Sequence, residues 1–287
     1  MSIHNKSGTA LTTAYNLSGQ VLTAAYSKNG TIVFQSITSP LKIMTYNVGG
    51  WYDGKGTNVP AAKDEAYYEL QYGTISDNDP DILFIEEYWD QFSQSGRTAI
   101  SFLSQLFPYV YPVNGNSTYF GRCFCSKYPL SNYQQHLFSN DSNRYYDTIV
   151  ATVENVPVTL CVLHLGLTVE ARAAQAQELL TFAQSVQTPF IMAGDFNTAK
   201  SATVEGEDYI NVIKPFIDEG YKVSNCGDFG RFITYSDTAG TQGQGSLDNI
   251  VFSPHFTIQS VEVDDRKLHD NLTETADHMP LIAVVSI

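Results

Sequence analysis

Short apolar runs of strand length alternate with segments of helical pattern from Leu41 onward, and this alternation constrains the fold more than any other feature. A helix is predicted over 169–186 with Thr168 as its N-cap. A second helix is predicted within 207–221, although proline is unfavourable in a helix interior and Pro215 lies inside this range. Strands are predicted at 41–47, 81–87, 156–165, 189–195, 247–253 and 281–287. Strands mixed with helices in this way predict layered sheets flanked by helices.

Polar side chains of the kind that bind metals or phosphates stand at one end of each predicted strand. They are Asn47, Glu86 and Glu87, His164, Asp195 with Asn197, Asp248, and the pair Asp277 and His278. Because catalytic groups are commonly held on the rim of a rigid sheet, we expect these residues to form one site. Carboxylate and amide oxygens suit Mg²⁺ or Mn²⁺, and imidazoles can transfer protons. The set predicts metal-assisted attack of water on a phosphoester.

Composition limits the partners that the chain can have. The 287 residues, 43% of them hydrophobic, are enough for a sizeable core. The formal net charge of −14 argues against a tight, sequence-independent hold on phosphate backbones, so a divalent cation would have to mediate contact with phosphates. The four cysteines, Cys123, Cys125, Cys161 and Cys226, lack zinc-site spacing and are interpreted as reduced thiols packed as small hydrophobes.

Nothing in the sequence predicts stable insertion into a membrane. The first residues lack the apolar core of a signal peptide, and no apolar stretch approaches the ~20 residues of a membrane-spanning helix. Cytoplasm is the default location, and export by a route that needs no such signal is left open.

Residues 1–38 differ from the rest of the chain. The segments AYNLSGQVL (14–22) and AYSKNGTIV (25–33) share Ala-Tyr, then a glycine, then two apolar positions. The glycines suit turns and the flanking runs suit short strands, which predicts a β-hairpin-like extension with eleven-residue repeats. This extension is either a docking module, whose protein partner is unknown, or a structural addition to the edge of the main domain, 40–287.

Short blocks that follow one another along residues 40–287 resemble the DNase I-like endonuclease/exonuclease/phosphatase superfamily. The blocks read TYNVGG, PDILFIEEY, GRCFCSKYPL, HLGL, GDFN, SLDNIVFS and ADHMP. The resemblance implies an α+β fold, a four-layer sandwich in which two packed mixed β-sheets are flanked by helices. It also implies a phosphoesterase that depends on Mg²⁺, with Mn²⁺ as the alternative.

The resemblance assigns a role to each matching residue. It implies metal binding by Asn47, Glu87 and Asp277, and catalysis by His164, Asp195, Asn197, Asp248 and His278. Asp195 and Asn197 would position or activate the nucleophile. His278 would hydrogen-bond the phosphate or transfer a proton, and Asp248 would orient its imidazole.

Glu86 departs from the family pattern, which usually has Gln before the metal-binding Glu. Neighbouring residues of a strand point to opposite faces, so Glu86 and Glu87 should not both bind one ion while the strand continues. The position in the block favours Glu87, and a bulge would transfer the role to Glu86.

Three residues near the expected site are predicted to bind substrate, each with a structural alternative. Arg122 would clamp a phosphate or form a surface ion pair, and Tyr119 is a similar candidate for substrate contact. Trp51 would stack on a base or lipid chain, or pack in a groove wall. Arg172 is expected to be an ordinary helix-face residue, and the remaining histidines, His4, His136, His255 and His269, are expected to be structural or superficial.

The predicted function is that of a metal-dependent phosphodiesterase. The favoured reaction is hydrolysis of nucleic acid, with a phosphatase or a sphingomyelinase-like phospholipid phosphodiesterase as the alternative, because a fold does not fix a substrate. A catalytically silent binding module is the remote third interpretation.

Overall fold

The computed structural model describes residues 24–26, 32–35, 37, 39–49, 65–88, 98–113, 121–198, 208–227, 229–236, 244–265 and 278–287. The repeat at 14–22 and the predicted site residues Trp51, Tyr119 and Asp277 lie outside these ranges, as do His4 and His269. Their predicted roles therefore stay predictions.

Most of the described elements of secondary structure are β-strands. They are β1 (Ala24–Tyr26), β2 (Ile32–Gln35), β3 (Leu41–Asn47), β4 (Ile82–Tyr88), β5 (Tyr109–Val113), β6 (Gly121–Ser126), β7 (Leu130–Phe138), β8 (Asp141–Val153), β9 (Val156–His164), β10 (Phe190–Asp195), β11 (Lys222–Val223), β12 (Tyr235–Ser236), β13 (Gln244–Gly245), β14 (Asp248–Phe252), β15 (Thr257–Val263) and β16 (Leu281–Ser286). Two sheets of six strands result, in the orders β15-β16-β3-β4-β6-β5 and β11-β14-β10-β9-β8-β7.

Both sheets are mixed. In the first, β3 and β4 are parallel, and in the second, β9 and β10 are parallel; the other neighbours within these two sheets are antiparallel. The strands β1 and β2 pair with each other, and so do β12 and β13. Because parallel strands end at the same edge, the carboxyl ends of β3 and β4, and those of β9 and β10, lie side by side.

Helices cover the outer faces of the two sheets. They are α1 (Glu65–Asn78), α2 (Ala99–Leu106), α3 (Val169–Ser185), a π-helical turn (Tyr209–Ile213) and α4 (Lys214–Asp218). As predicted, Thr168 caps α3, since its hydroxyl accepts a hydrogen bond from the Ala171 N–H. The predicted second helix is one continuous helical segment, in which the π-helical turn passes directly into α4 and Pro215 lies at the start of α4.

Alternating strand residues build three apolar layers. Phe84, Phe124 and Leu160 belong to the central layer, which the inner faces of the two sheets share. Leu83 packs beneath α2, on the outer face of the first sheet, and Met192 packs beneath α3, on the outer face of the second. The helix–sheet–sheet–helix order confirms the predicted α+β sandwich. No helix in the described part of the chain is both long and apolar enough to cross a bilayer.

Candidate active site

The inner faces of both sheets change from apolar to polar at one end of the sandwich. In β4, Ile82 and Phe84 point into the central core, and Glu86 continues the same face two residues later. The same alternation places Asn47, Arg122, Asp147, His164, Asp195 and Asp248 on inner faces, and all of these side chains are buried. Register joins them across strands, because Asn47 pairs with Glu86, Glu86 with Arg122, and Asp195 with both His164 and Asp248.

Asn47 connects the carboxylates of the two sheets. Its Nδ2 lies 3.1 Å from Asp195 Oδ2 and 3.4 Å from Glu87 Oε1, and its Oδ1 accepts a hydrogen bond from the Gly49 N–H at 3.0 Å. The predicted nucleophile-activating residue and the predicted metal ligand are thus brought together, although they are far apart in the sequence. The Asn47 amide nitrogen faces both carboxylates, so this side chain positions them directly.

Asp248 and His278 form a close carboxylate–imidazole pair. Asp248 Oδ2 lies 2.8 Å from His278 Nδ1, and His278 Nε2 points toward Asp195 Oδ2 at 3.6 Å. Thr234 holds the pair together, because its hydroxyl accepts hydrogen bonds from the backbone N–H groups of Leu247 and Asp248, while its carbonyl accepts one from Met279. Sequence reasoning missed Thr234, since a loop threonine gives no signal of such a role.

His164 and Asp195 face each other, and the pKa of each is shifted from its usual value. His164 Nε2 lies 3.4 Å from Asp195 Oδ2. Burial, followed by the charges of Arg144, Arg122 and His278, lowers the pKa of His164 well below its usual value, which favours the neutral imidazole in the metal-free site. Burial raises the pKa of Asp195 to about 6; the charge of His278 lowers it and that of Asp248 raises it.

A β-bulge resolves the arrangement of Glu86 and Glu87. The pairing of β4 with β6 shifts between Glu86 and Tyr88, and Glu87 has a φ of 54°. The Glu86 carboxylate points inward, where the Thr45 hydroxyl lies 3.2 Å from its Oε1, and the Glu87 carboxylate is kept near Asn47. The bulge therefore leaves both carboxylates at the site, one enclosed and one partly exposed. The bulge is expected to transfer the metal role to Glu86, but the Glu86 carboxylate is enclosed beside Thr45 and Glu87 is partly exposed, so we keep metal binding by Glu87 as the prediction.

Gly194 permits the close packing behind these carboxylates. A Cβ at this position would lie 2.1 Å from the Leu163 carbonyl oxygen and 3.2 Å from Glu86 Oε1. Its φ of 147° is also one that other residues rarely adopt. The glycine before Asp195 is thus required by the approach of β9 and β4 to β10.

Replacing Glu86 by Gln is expected to stabilise the metal-free protein at pH 8. Burial, then the charges of Asp248 and Asp195, raise the pKa of Glu86 well above its usual value. Below the ordinary glutamate pKa of ~4.3, the carboxyl is protonated in the folded and unfolded states alike. Above it, the unfolded chain loses the proton and the folded chain keeps it, so native stability falls by up to about 1.4 kcal/mol per pH unit until the folded pKa is passed.

Urea unfolding in EDTA at several values between pH 4 and pH 8 measures this effect. The stability advantage of Glu86→Gln should grow with pH, while the exposed control Glu219→Gln should show no such trend. If the stability difference between Glu86→Gln and the wild type stays constant with pH, the pKa of Glu86 is not raised in the folded protein.

Asn197 supports the loop around Asp195 through a turn. A spacing of two residues would place Asp195 and Asn197 on one side only if the chain stayed extended, whereas Asn197 has a φ of 52°. Its backbone N–H donates to Asp195 Oδ1 at 2.7 Å, and its side-chain Nδ2 donates to the Leu165 carbonyl at 2.8 Å. The turn, and not an extended strand, brings the two residues together.

Arg122 is enclosed and paired, so the alternative of a surface ion pair is wrong. Its side chain is 3% exposed, its Nη1 lies 3.3 Å from Asp147 Oδ2, and its guanidinium stacks 3.9 Å over the Tyr145 ring. The Tyr133 hydroxyl donates to the other Asp147 oxygen at 2.8 Å. The ion pair joins β6 of one sheet to β8 of the other beneath the site.

Other predicted structural residues have local roles. Arg172 is buried and makes a two-pronged contact with Asp208, with Nε 2.7 Å from Oδ1 and Nη2 2.8 Å from Oδ2, which fixes the π-helical turn to α3. His136 stacks on Tyr146, and His255 contacts Ser253. Three of the cysteines are buried, as expected for small hydrophobic residues, and Cys226 is half-buried.

Comparison with protein families identifies the chain. Residues 44–278 match the model of the Endonuclease/Exonuclease/phosphatase family. The chain belongs to this family. The matched segment contains every described residue of the site from Asn47 to His278. Comparison of the sequence with curated proteins gives no match.

Solved structures show the same family fold. They include D. rerio TDP2 complexed with a single-strand DNA product (TM-score 0.62, 16% identity, 87% of this chain and 100% of that chain). They also include the Neisseria 3′ phosphatase NExo bound to a product DNA hairpin (0.59, 20%, 85% and 98%) and the human Nocturnin catalytic domain with a bound sulfate anion (0.61, 20%, 86% and 94%). At these identities the likeness establishes the fold.

Proposed function

We propose that this member of the Endonuclease/Exonuclease/phosphatase family is a divalent-metal-dependent phosphodiesterase that hydrolyses nucleic acid. The observation that carries the proposal is the convergence of Asn47, Glu87, His164, Asp195 and the Asp248–His278 pair at one end of the sandwich. Buried carboxylates and imidazoles that crowd together are unfavourable for folding alone, so a functional requirement is the better explanation.

The donor set fits a hard divalent cation such as Mg²⁺ or Mn²⁺. Glu87 supplies a carboxylate at the site, and Asn47 and Asp277 are the other predicted ligands; Asn47 would bind through Oδ1, the atom that accepts a hydrogen bond from the Gly49 N–H in this structure. Asp248 Oδ1 is buried with no hydrogen-bond partner among the described residues, so this oxygen is open to a cation held by Asp248 itself, which belongs to a second group of candidate ligands. When bound, the cation would neutralise a phosphate oxygen and the charge that builds on it in the transition state.

A second group of candidate ligands, Asp195, Asp248 and His278, offers atoms within 4.8 Å of one another. We assign this group to proton transfer instead. One His278 nitrogen is already bonded to Asp248, which supports the protonated imidazole, while the other nitrogen faces Asp195. Asp195 would orient the attacking water, and His278 would serve the phosphate or the leaving oxygen.

The substrate class rests on separate arguments. The DNA products in the TDP2 and NExo structures support nucleic acid for a chain with this family and fold. The name of NExo, a 3′ phosphatase, supports phosphate monoesters as the second candidate. The intact set of site residues argues against a silent binding module.

A substrate panel with Mg²⁺ tests the proposal. It contains plasmid DNA, RNA, a 3′-phosphorylated oligonucleotide, bis(4-nitrophenyl) phosphate, an inositol phosphate and sphingomyelin. We expect nicking of plasmid that EDTA stops and that Asp195→Asn, purified in parallel, lacks; this variant excludes a contaminating nuclease. Release of phosphate from monoesters alone would replace the nuclease assignment with a phosphatase one, and inactivity throughout would reject both.

A further inference from the structure

Arg144 brings a second cation to the site from an unexpected direction. It lies near the start of β8, and its alternation with Tyr146 puts it on the face of the second sheet that α3 covers. The side chain reaches the rim all the same, because its Nη1 donates to the His164 carbonyl oxygen at 3.1 Å. Sequence reasoning missed it, since no motif contains it.

Arg144 is partly exposed, and its guanidinium makes few hydrogen bonds to the described residues. The hydrogen bond to His164 is the one that it makes within the described part of the chain, and no described carboxylate is close enough for an ion pair. A guanidinium has five N–H donors in a planar fork, so the described residues leave most of them open to another partner.

Several of the charged residues around Arg144 are residues of the candidate active site. Burial and repulsion from Arg122 lower the pKa of Arg144, while Asp195, Asp141 and Glu87 raise it, so the charged head lies within electrostatic reach of two predicted catalytic-site carboxylates. An arginine keeps its proton in such surroundings. Without a cation of this kind, the carboxylates would repel a phosphate that approaches them.

Arg122 is a poor candidate for the same task. Its guanidinium is enclosed at 3% exposure, paired with Asp147 and stacked on Tyr145, so a substrate cannot reach it without disturbing the core. We propose that Arg144, and not Arg122, is the arginine that binds a substrate phosphate through a forked contact. This proposal rests on the phosphoesterase function proposed above and names a residue that serves it.

Two variants and one control test the assignment. Arg144→Gln removes the charge, and Arg144→Met keeps an apolar stem of similar reach. Lys127→Gln removes one positive charge at the far end of β6, where Lys127 contacts Asp79 and Asp81. Circular dichroism checks folding. The measurements are kcat/KM for bis(4-nitrophenyl) phosphate and for a DNA oligonucleotide, and the shift in Tm that inorganic phosphate causes in the presence of Mg²⁺.

Both Arg144 variants should lose about 10- to 100-fold in kcat/KM and most of the phosphate-dependent Tm shift, whereas Lys127→Gln should keep both. Loss with both substrates would place the contact on the scissile phosphate, and loss with the oligonucleotide alone would place it on a neighbouring one. Wild-type behaviour of the variants in both assays, or failure of both to fold, would overturn the proposal. If the wild-type protein hydrolyses none of the substrates but is stabilised by phosphate only when Arg144 is present, the phosphoesterase function fails and the phosphate-binding role stands.

Discussion

Replacing Asp195 by Asn should lower kcat by about 10²–10⁴-fold while the fold survives. The carboxylate accepts hydrogen bonds from Asn47 Nδ2 and the Asn197 N–H, and it lies 3.4 Å from His164 Nε2 and 3.6 Å from His278 Nε2. Asn keeps the size of the side chain but cannot accept a proton, so the loss would report chemistry and not packing.

Steady-state kinetics on the substrate that the panel identifies measures this loss, and thermal unfolding confirms the fold. Asp218→Asn is the matched control, because Asp218 is exposed on α4 and pairs with Lys214 on the same helix. Turnover by Asp195→Asn within a few-fold of the wild-type rate would remove Asp195 from the mechanism.

Chelation of divalent cations should abolish turnover, and Glu87→Gln should raise the Mg²⁺ concentration for half-maximal rate by at least about 10- to 100-fold. Changes to residues around a metal's own ligands already cost this much in affinity, and loss of a carboxylate ligand costs no less. Glu87 is partly exposed and near Asn47, so an ion could reach it from solvent. The measurement is a Mg²⁺ titration of the rate, with the Mg²⁺-dependent Tm as a second readout.

Glu86→Gln serves as the neighbouring control and should keep the wild-type Mg²⁺ requirement, because Glu86 is enclosed beside Thr45. A different pattern is also informative. If Glu87→Gln titrates like the wild type while Asp248→Asn does not, the cation is held by the cluster of Asp195, Asp248 and His278 instead.

Layered sheets flanked by helices and the rim of the site could be predicted from local patterns, whereas the two-sheet sandwich was implied by the family resemblance. Period-two alternation sets which side chains enter the core, and polar residues at strand ends then continue the same inner face, as Asn47 and Asp195 do. Strand β7, LSNYQQHLF, was not predicted, because most of it is polar and at least partly exposed at the edge of its sheet. Helix α2 was not predicted either: Ala99, Phe102 and Leu103 have helical spacing, but eight residues are too short for this spacing to distinguish a helix from a buried strand.

The finer parts of the site depend on tertiary geometry that no local pattern encodes. The bulge at Glu87 is a property of the pairing of β4 with β6, and so the sequence left the roles of Glu86 and Glu87 open. The burial of Arg122 follows from its pairing across the sandwich with Asp147, a residue on another sheet. Alternation alone assigns Arg144 to the outer face of its sheet. The residue reaches the site because its long side chain passes the end of the sheet.

Thr234 ties together two segments that carry Asp248 and His278. Asp248 and His278 are separated by thirty positions, yet one hydroxyl and one carbonyl of Thr234 tether the start of β14 and the approach to β16. The distance between the carboxylate and the imidazole is therefore set by this tether and not by the intervening chain. Sequence changes between the two strands can therefore leave the Asp248–His278 distance unchanged.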